Sequence, residues 1–228
     1  TQPLADLDVT AATINLNSTG ITVDDGAGGA TATLTGAVVL GANVTIDTDG
    51  AADNSLTFTS TINADDATAN DRTLTITAGT GTVTFGGIVG GTQALADLDV
   101  TAATINLNST GITVDDGAGG ATATFTGAVV LGANVAIDTD GTNDNSLSFT
   151  STINADDATA NNRTLTITAG TGTVTFGGIV GGTQPLADLD VTAATINLNS
   201  TGITVDDGAG GATATLTGAV VLGANVTI

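Results

Sequence analysis

Short runs in which every second residue is apolar recur along the chain, such as Thr13-Ile14-Asn15-Leu16, Val44-Thr45-Ile46, Leu56-Thr57-Phe58, Leu74-Thr75-Ile76 and Thr82-Val83-Thr84-Phe85. A period of two is the mark of a strand with one buried face, and no window sustains the 3.6-residue period of a helix. Within residues 1–91 the pattern predicts strands over residues 7–9, 13–16, 21–23, 31–35, 38–40, 44–46, 56–59, 61–63, 74–77, 82–85 and 88–89. Alternation turns Ile14, Leu16, Ile21, Val23, Ala32, Leu34, Val44, Ile46, Leu56, Phe58, Leu74, Ile76, Val83 and Phe85 inward, and Thr22, Thr33, Thr45, Thr57, Thr75 and Thr84 outward. Gly, Thr, Val, Asn and Asp, which dominate the spacers, are poor helix formers.

The pattern repeats. TQPLADLDV begins at Thr1, TQALADLDV at Thr92 and TQPLADLDV again at Thr183, a period of 91 residues. The first two copies differ at seven positions: Pro3/Ala94, Leu34/Phe125, Thr45/Ala136, Ala51/Thr142, Ala52/Asn143, Thr57/Ser148 and Asp71/Asn162. The 46 residues of the third copy match the first throughout. The exchange of Leu34 for Phe125 points to a core position with slack, and that of Ala51-Ala52 for Thr142-Asn143 to a loop in water. A weaker echo lies inside each unit: Ile21-Thr22-Val23 is similar to Leu74-Thr75-Ile76, and the segment from Thr33 to Val38 to that from Thr84 to Val89. The organisation expected is one continuous array over 1–228, with tandem units 1–91, 92–182 and a partial 183–228. Neither end reads as the polar cap that solenoids need, so the array is expected to continue in both directions.

Strands of three to five residues are too weak to stand as isolated hairpins. They become stable when the chain coils and each strand pairs with its equivalent above and below. The fold expected is therefore all-β, a parallel β-helix or β-solenoid. About eleven strands per unit correspond to roughly four three-stranded coils of 20–25 residues. With strands ~4.8 Å apart, a unit would rise about 19 Å and the chain would hold about ten coils. A string of immunoglobulin-like β-sandwiches is the competing architecture. It is disfavoured by strands shorter than sandwich strands, and by the lack of tryptophan, a tyrosine corner and Pro-rich linkers.

Composition narrows the rest. The chain has 23 acidic residues, all Asp, against two arginines, Arg72 and Arg163, for a net charge of −21. High charge with few aromatics is a signature of disorder, but a hydrophobic content of 41% in alternating runs opposes it. Five phenylalanines, Phe58, Phe85, Phe125, Phe149 and Phe176, are the only aromatics, so the core must be thin and aliphatic. An acidic surface excludes the basic footprint of a nucleic-acid partner. No apolar run is long enough to insert in a membrane as a helix. Asp in place of Glu points to turns, where its side chain bonds the local backbone.

Phrases from Thr84 to Val100, TFGGIVGGTQALADLDV, and from Ala37 to Ile46, AVVLGANVTI, resemble those of giant bacterial surface proteins of the filamentous-haemagglutinin-like and autotransporter-like β-strand-repeat type. The resemblance runs the length of the chain. It implies a right-handed parallel β-helix exported to the bacterial cell surface. The unit carries more Asp than that family leads one to expect, which raises the question of cations.

Candidate chemistry is sparse. Without His, Cys, Lys, Glu or Tyr the usual bases and nucleophiles are missing, and an enzyme is not expected. Calcium is the one cofactor suggested. Asp47, Asp49 and Asp53, and their counterparts Asp138, Asp140 and Asp144, gather hard oxygens around a glycine turn. Asp24, Asp25, Asp65 and Asp66 are further candidates. Calcium takes six to eight oxygens, but the spacing is not that of an EF-hand, and the same aspartates serve equally as turn residues closing strand ends. Stacked like charges one strand apart would cost ~0.9 kcal/mol a pair in water, to be relieved by divalent cations or by staggering.

The expected function is that of a structural or adhesive segment of a long extracellular fibre. Its partners would be neighbouring repeats, like fibres, cell surfaces or polysaccharide. The alternatives are a calcium-dependent adhesion or matrix module, an ice-binding surface built on the Thr-x-Thr rows, and a secreted polysaccharide-active β-helix enzyme.

Overall fold

A computed structural model describes residues 2–27, 29, 31–65, 72–156 and 163–228. The described residues form no helix; they are strands and connecting turns. Copy one contributes β1 (Asp8–Leu16), β2 (Gly20–Thr22), β3 (Thr31–Leu40), β4 (Val44–Asp47), β5 (Ser55–Phe58), β6 (Ile62–Ala64), β7 (Thr73–Thr77) and β8 (Thr82–Phe85). Copy two repeats them as β9 (Asp97–Leu107), β10 (Gly111–Thr113), β11 (Thr122–Leu131), β12 (Val135–Asp138), β13 (Ser146–Phe149), β14 (Ile153–Ala155), β15 (Thr164–Thr168) and β16 (Thr173–Phe176). Copy three adds β17 (Asp188–Leu198) and β18 (Ala214–Leu222). All registered pairs are parallel, each strand resting on one from the previous turn, so the chain is a parallel β-helix of about eight turns.

Three ladders run the length of the rod. Face A stacks Val9, Leu34, Phe58, Phe85, Leu107, Leu131 and Ala155. Face B stacks Ile14, Val38, Ile62, Val89, Ile112, Ile137, Ile167, Val191 and Leu216. Face C stacks Ile21, Ile46, Ile76, Val100, Phe125, Phe149, Phe176, Leu198 and Leu222.

The chain visits A, B and C in order. From Val9 to its counterpart Val100 it takes eleven such steps, through Ile14, Ile21, Leu34, Val38, Ile46, Phe58, Ile62, Ile76, Phe85 and Val89. Eleven steps on three faces are three and two-thirds coils. The expectation of about four coils per unit thus holds in outline, with the fraction now defined. The ladders on faces B and C span about eight full turns rather than the ten coils expected, and individual coils vary around the expected length; Ile46, for example, pairs with Ile76.

The fraction has a geometric consequence. Val9 lies on face A, Val100 on face C and Val191 on face B. Ile21, Ile112 and Ile203 lie on C, B and A in turn. The same sequence therefore occupies all three faces in successive copies. The echo within the unit is also explained: Leu34 and Phe85 stand two coils apart on one ladder, with Phe58 between them. Ile21 and Ile76 are likewise two coils apart, in a register two residues away from the one the sequence similarity suggests.

The interior holds the residues that alternation turned inward. Val23, Ala32, Leu34, Val44, Ile46, Leu56, Phe58, Leu74, Ile76, Val83 and Phe85 are fully or almost fully buried, and Ile14 and Leu16 nearly so. Ile21, on the first coil, is only partly covered, whereas its counterpart Ile112 is buried. Phe58 stacks on Phe85 with ring centroids 5.7 Å apart; Phe125, Phe149 and Phe176 form a longer stack at 5.3 and 5.8 Å. The exchange of Leu34 for Phe125 thus adds a third ring to a column of two.

Strands predicted separately over 7–9 and 13–16, and over 31–35 and 38–40, run on as the single strands β1 and β3, bent around a corner. There Ala11 and Ala12 together oppose Gly36, a β-bulge that turns the chain from face A to face B. Gly36 has φ 139°, and a Cβ on it would lie 1.7 Å from the Ala11 carbonyl oxygen, so only glycine fits. Gly127 and Gly218 repeat the corner on the other faces.

Candidate functional site

The loops carrying the candidate aspartates stack into a column along the rod. In the first loop Asp24 accepts from the Gly26 amide at 2.8 Å and Asp25 from the Ala27 amide at 3.1 Å. Asp24 also reaches the next coil, where its second oxygen accepts from the Ala51 amide at 3.1 Å. In that second loop the Asp49 amide donates to Asp47 at 3.0 Å, an Asx turn. Asp53 reaches one coil further and accepts from both the amide and the hydroxyl of Thr80, at 2.6 and 2.7 Å. The approach is close because Gly79 (φ 50°) has no side chain; a Cβ there would meet Asp53 Oδ2 at 2.4 Å.

The structure thus stacks Asp24 and Asp25 of one loop on Asp47, Asp49 and Asp53 of the next, with Thr80 of a third loop bonded to Asp53. Copy two repeats the arrangement. Asp115 accepts from Gly117 and Thr142, the Asp140 amide donates to Asp138, and Asp144 accepts from the Thr171 amide.

Within the column the carboxylates divide into two kinds. Asp49 shares a hydrogen bond with Asp53, and that bond, with the neighbouring negative charge, raises its pKa above the usual carboxylate value; Asp140 beside Asp144 behaves alike. Asp53 and Asp144 are held below the usual value, chiefly by the amide hydrogen bonds from Thr80 and Thr171. One proton is therefore retained more readily on the outer member of each pair, while the inner member acts as an anionic staple between coils. Asp65 stands elsewhere. It takes a bidentate ion pair from Arg72, at 2.9 and 3.1 Å, and Asp156 takes the same from Arg163. Asp66 lies outside the described residues. Among the described residues no three carboxylates are grouped so as to hold a metal ion.

Staggering answers the electrostatic question for the sheets. Asp99 lies between Thr75 and Thr124, Asp190 between Thr166 and Thr215, Asp47 between Thr22 and Thr77, and Asp138 between Thr113 and Thr168. Among the registered strand pairs no aspartate faces another. The like-charge pairs one strand apart that stacking would create are therefore absent from these ladders.

Three features were not legible in the alternation. Thr48 and Asn54 are buried polar residues inside the loop corner; the Thr48 hydroxyl donates to the Asn54 carbonyl at 2.7 Å, and the Asn54 side-chain amide, in the orientation that satisfies its neighbours, donates to Asp25 at 3.0 Å. Asn63 accepts from the amides of Thr92 and Gln93, tying one coil to the first loop of the next copy. Asp97 is half-buried where copy two rests on copy one. Burial first, and then the charge of Asp99, push its carboxyl up to about 6. The only signals in the sequence are an asparagine directly before β5, another in the middle of β6, and an aspartate directly before Leu98.

The outward surface is rich in hydroxyls. On face C, Thr75, Asp99, Thr124, Ser148 and Thr175 follow one another up a single column, with Thr77, Thr101 and Thr126 beside it. A shallow depression lined by Thr75, Asp99, Thr101, Thr124 and Thr126 lies between these columns. Among the described residues no helix is long and apolar enough to cross a membrane. Comparison with known proteins returns no matching family model, no similar curated protein and no similar solved structure.

Proposed function

We propose that this chain is a mechanical segment of a long, non-catalytic fibre displayed on a bacterial surface, spanning distance and presenting its flanks for contact with cells, matrix or like fibres. The observation that carries this reading is the seam between copies. β9, the first strand of copy two, rests on β7 and β8 of copy one and carries β11 above it. The ladders cross residues 91 and 92 without a joint, so units add to one rod instead of forming beads on a linker.

Two further features suit the role. Backbone pairing runs along the axis, so each coil is clamped by its neighbours through three ladders. The chain has only two basic residues, Arg72 and Arg163, and each is engaged by a carboxylate. Cleavage after basic residues therefore has few targets. The cell-surface setting rests on the resemblance of the TFGGIVGGTQALADLDV and AVVLGANVTI phrases to exported repeat proteins.

Electron microscopy of the native protein, labelled with an antibody to this segment, tests the proposal. The expected image is an unbranched rod of constant width on the outside of the cell, lengthening by about 18 Å for each 91-residue unit, eleven-thirds of a strand spacing. A beaded chain, or label confined to the cell interior, overturns it.

A further inference from the structure

We infer that the three faces of the rod are interchangeable, so that the array gains or loses whole 91-residue units without a break even though a unit is not a whole number of coils. The inference concerns the fold itself and stands whether or not the fibre reading is right.

A unit of three and two-thirds coils leaves the chain one face out of phase each time it ends. Were the faces chemically distinct, the second copy would place its strands on the wrong neighbours. The register shows that it does not. The segment from Asp8 to Leu16 pairs with that from Thr33 to Leu40 on faces A and B. Its copy pairs Asp99 with Thr124 and Leu107 with Leu131 on faces C and A, and the third copy pairs Asp190 with Thr215 and Leu198 with Leu222 on faces B and C. The same bulge recurs each time, two residues opposite Gly36, Gly127 or Gly218. The same core closes around it: Leu95 and Leu186, Val100 and Val191, and Ile105 and Ile196 are all buried although each pair lies on different faces.

What allows this is the side-chain inventory. Every face is lined chiefly by Val, Ile and Leu, which are of similar reach, so a face carries little identity of its own, and phenylalanine is not tied to one face. The aromatic columns make the point: Phe58 and Phe85 stand on face A, while Phe125, Phe149 and Phe176 stand on face C. Each column is closed above by a leucine, Leu107 or Leu198.

The operation relating one unit to the next is thus a screw of a third of a turn with a rise of about 18 Å. Any surface feature, such as the Asp24–Asp53 column or the hydroxyl rows, returns to the same side only after three units. These make eleven coils, or about 53 Å. The rod presents each feature on all three sides.

Two measurements on the full chain test this. Nitroxide labels on cysteines replacing the exposed Thr10, Thr101 and Thr192, taken in pairs, report the screw. The Thr10–Thr101 and Thr101–Thr192 distances should be equal, and the Thr10–Thr192 distance clearly less than twice either. A ratio of two means that the copies share one face and overturns the inference. The second measurement uses a chain in which residues 92–182 are duplicated in tandem after Gly182. It should melt in one transition no lower than the parent's, resist proteolysis at the new junction, and scatter as a rod about 18 Å longer. A new low-temperature transition or a cut at the junction shows that the faces are not equivalent, and overturns the inference equally.

Discussion

The phrase at the start of copy one and its recurrence at the start of copy two differ by a single residue among the first nine, yet they live in different surroundings. Leu4 is 49% exposed and Leu95 is fully buried; Leu7 and Val9 are partly covered, whereas Leu98 and Val100 are inside. The contrast recurs at the other end, where Leu131 is buried and its counterpart Leu222 is 63% exposed. The difference is a neighbour. Copy two is sandwiched between coils, whereas β1 and β18 are each covered on one side only. A strand here has no inside of its own; it acquires one from the coils stacked against it.

The sharpest way to break this comparison is truncation at matched leucines. Leu131→Ala removes a side chain held between Leu107 and Ala155 and should cost about 2–5 kcal/mol. Leu222→Ala, in the same local sequence, should cost less than about 1 kcal/mol. Urea unfolding followed by circular dichroism measures both, and equal losses would refute the view that stacking makes the core.

Next in size is the corner. Gly127→Ala places a Cβ 1.9 Å from the Ala102 carbonyl oxygen at a φ of 140°, and should cost at least about 2 kcal/mol in the same assay. Gly218→Ala should cost less, because the last coil can shift away. A harmless Gly127→Ala would mean that the bulge is not a fixed corner.

Asp97 gives a pH-dependent version of the same contrast. Its folded carboxyl titrates near 6 instead of 3.8, so the folded state holds the proton more tightly than the unfolded one. The contribution of this one group to stability is therefore full below about pH 4, falls as pH rises to about 6 and is flat beyond. Asp97→Asn should stabilise the rod at pH 7 by about 1–2 kcal/mol, after allowance for its half-exposed position, and have no such effect below pH 4. The exposed Asp6→Asn should change stability by less than about 0.5 kcal/mol at pH 7. Thermal melts of both variants across pH 4–7 read this directly. A benefit of Asp97→Asn that is the same at every pH would rule out titration as its source.

The smallest expected effect lies in the aromatic columns. Phe125→Leu shortens a three-ring stack to two and should cost about 0.5–1.5 kcal/mol beyond its change in area, while Leu34→Phe should recover a similar amount by capping Phe58. Destabilisation by Leu34→Phe would show that the two columns differ in room as well as in sequence.

The strands were largely legible in advance because a period of two is a local property: Leu74, Ile76, Val83 and Phe85 point inward wherever their strands are placed. The candidate site was legible only in part. Asp24, Asp47 and Asp53 could be read as turn residues, but not as staples between loops, because Asp24 meets Ala51, and Asp53 meets Thr80, 27 positions along the chain. Asp65 could not be told from the others without Arg72 in view. The sandwiching of Asp99 by Thr75 and Thr124 depends on coil length, which turns of variable size conceal.

By itself, then, the sequence determined short strands, their inward and outward residues, a 91-residue period and the need to stack. Only the tertiary structure decided which strand lies on which, and hence that a unit is three and two-thirds coils and that each copy is turned by a face. The physical reason is that alternation is written in neighbouring residues, whereas stacking register depends on where each loop returns the chain. Three faces lined by the same aliphatic side chains leave no mark in the sequence to say which is which.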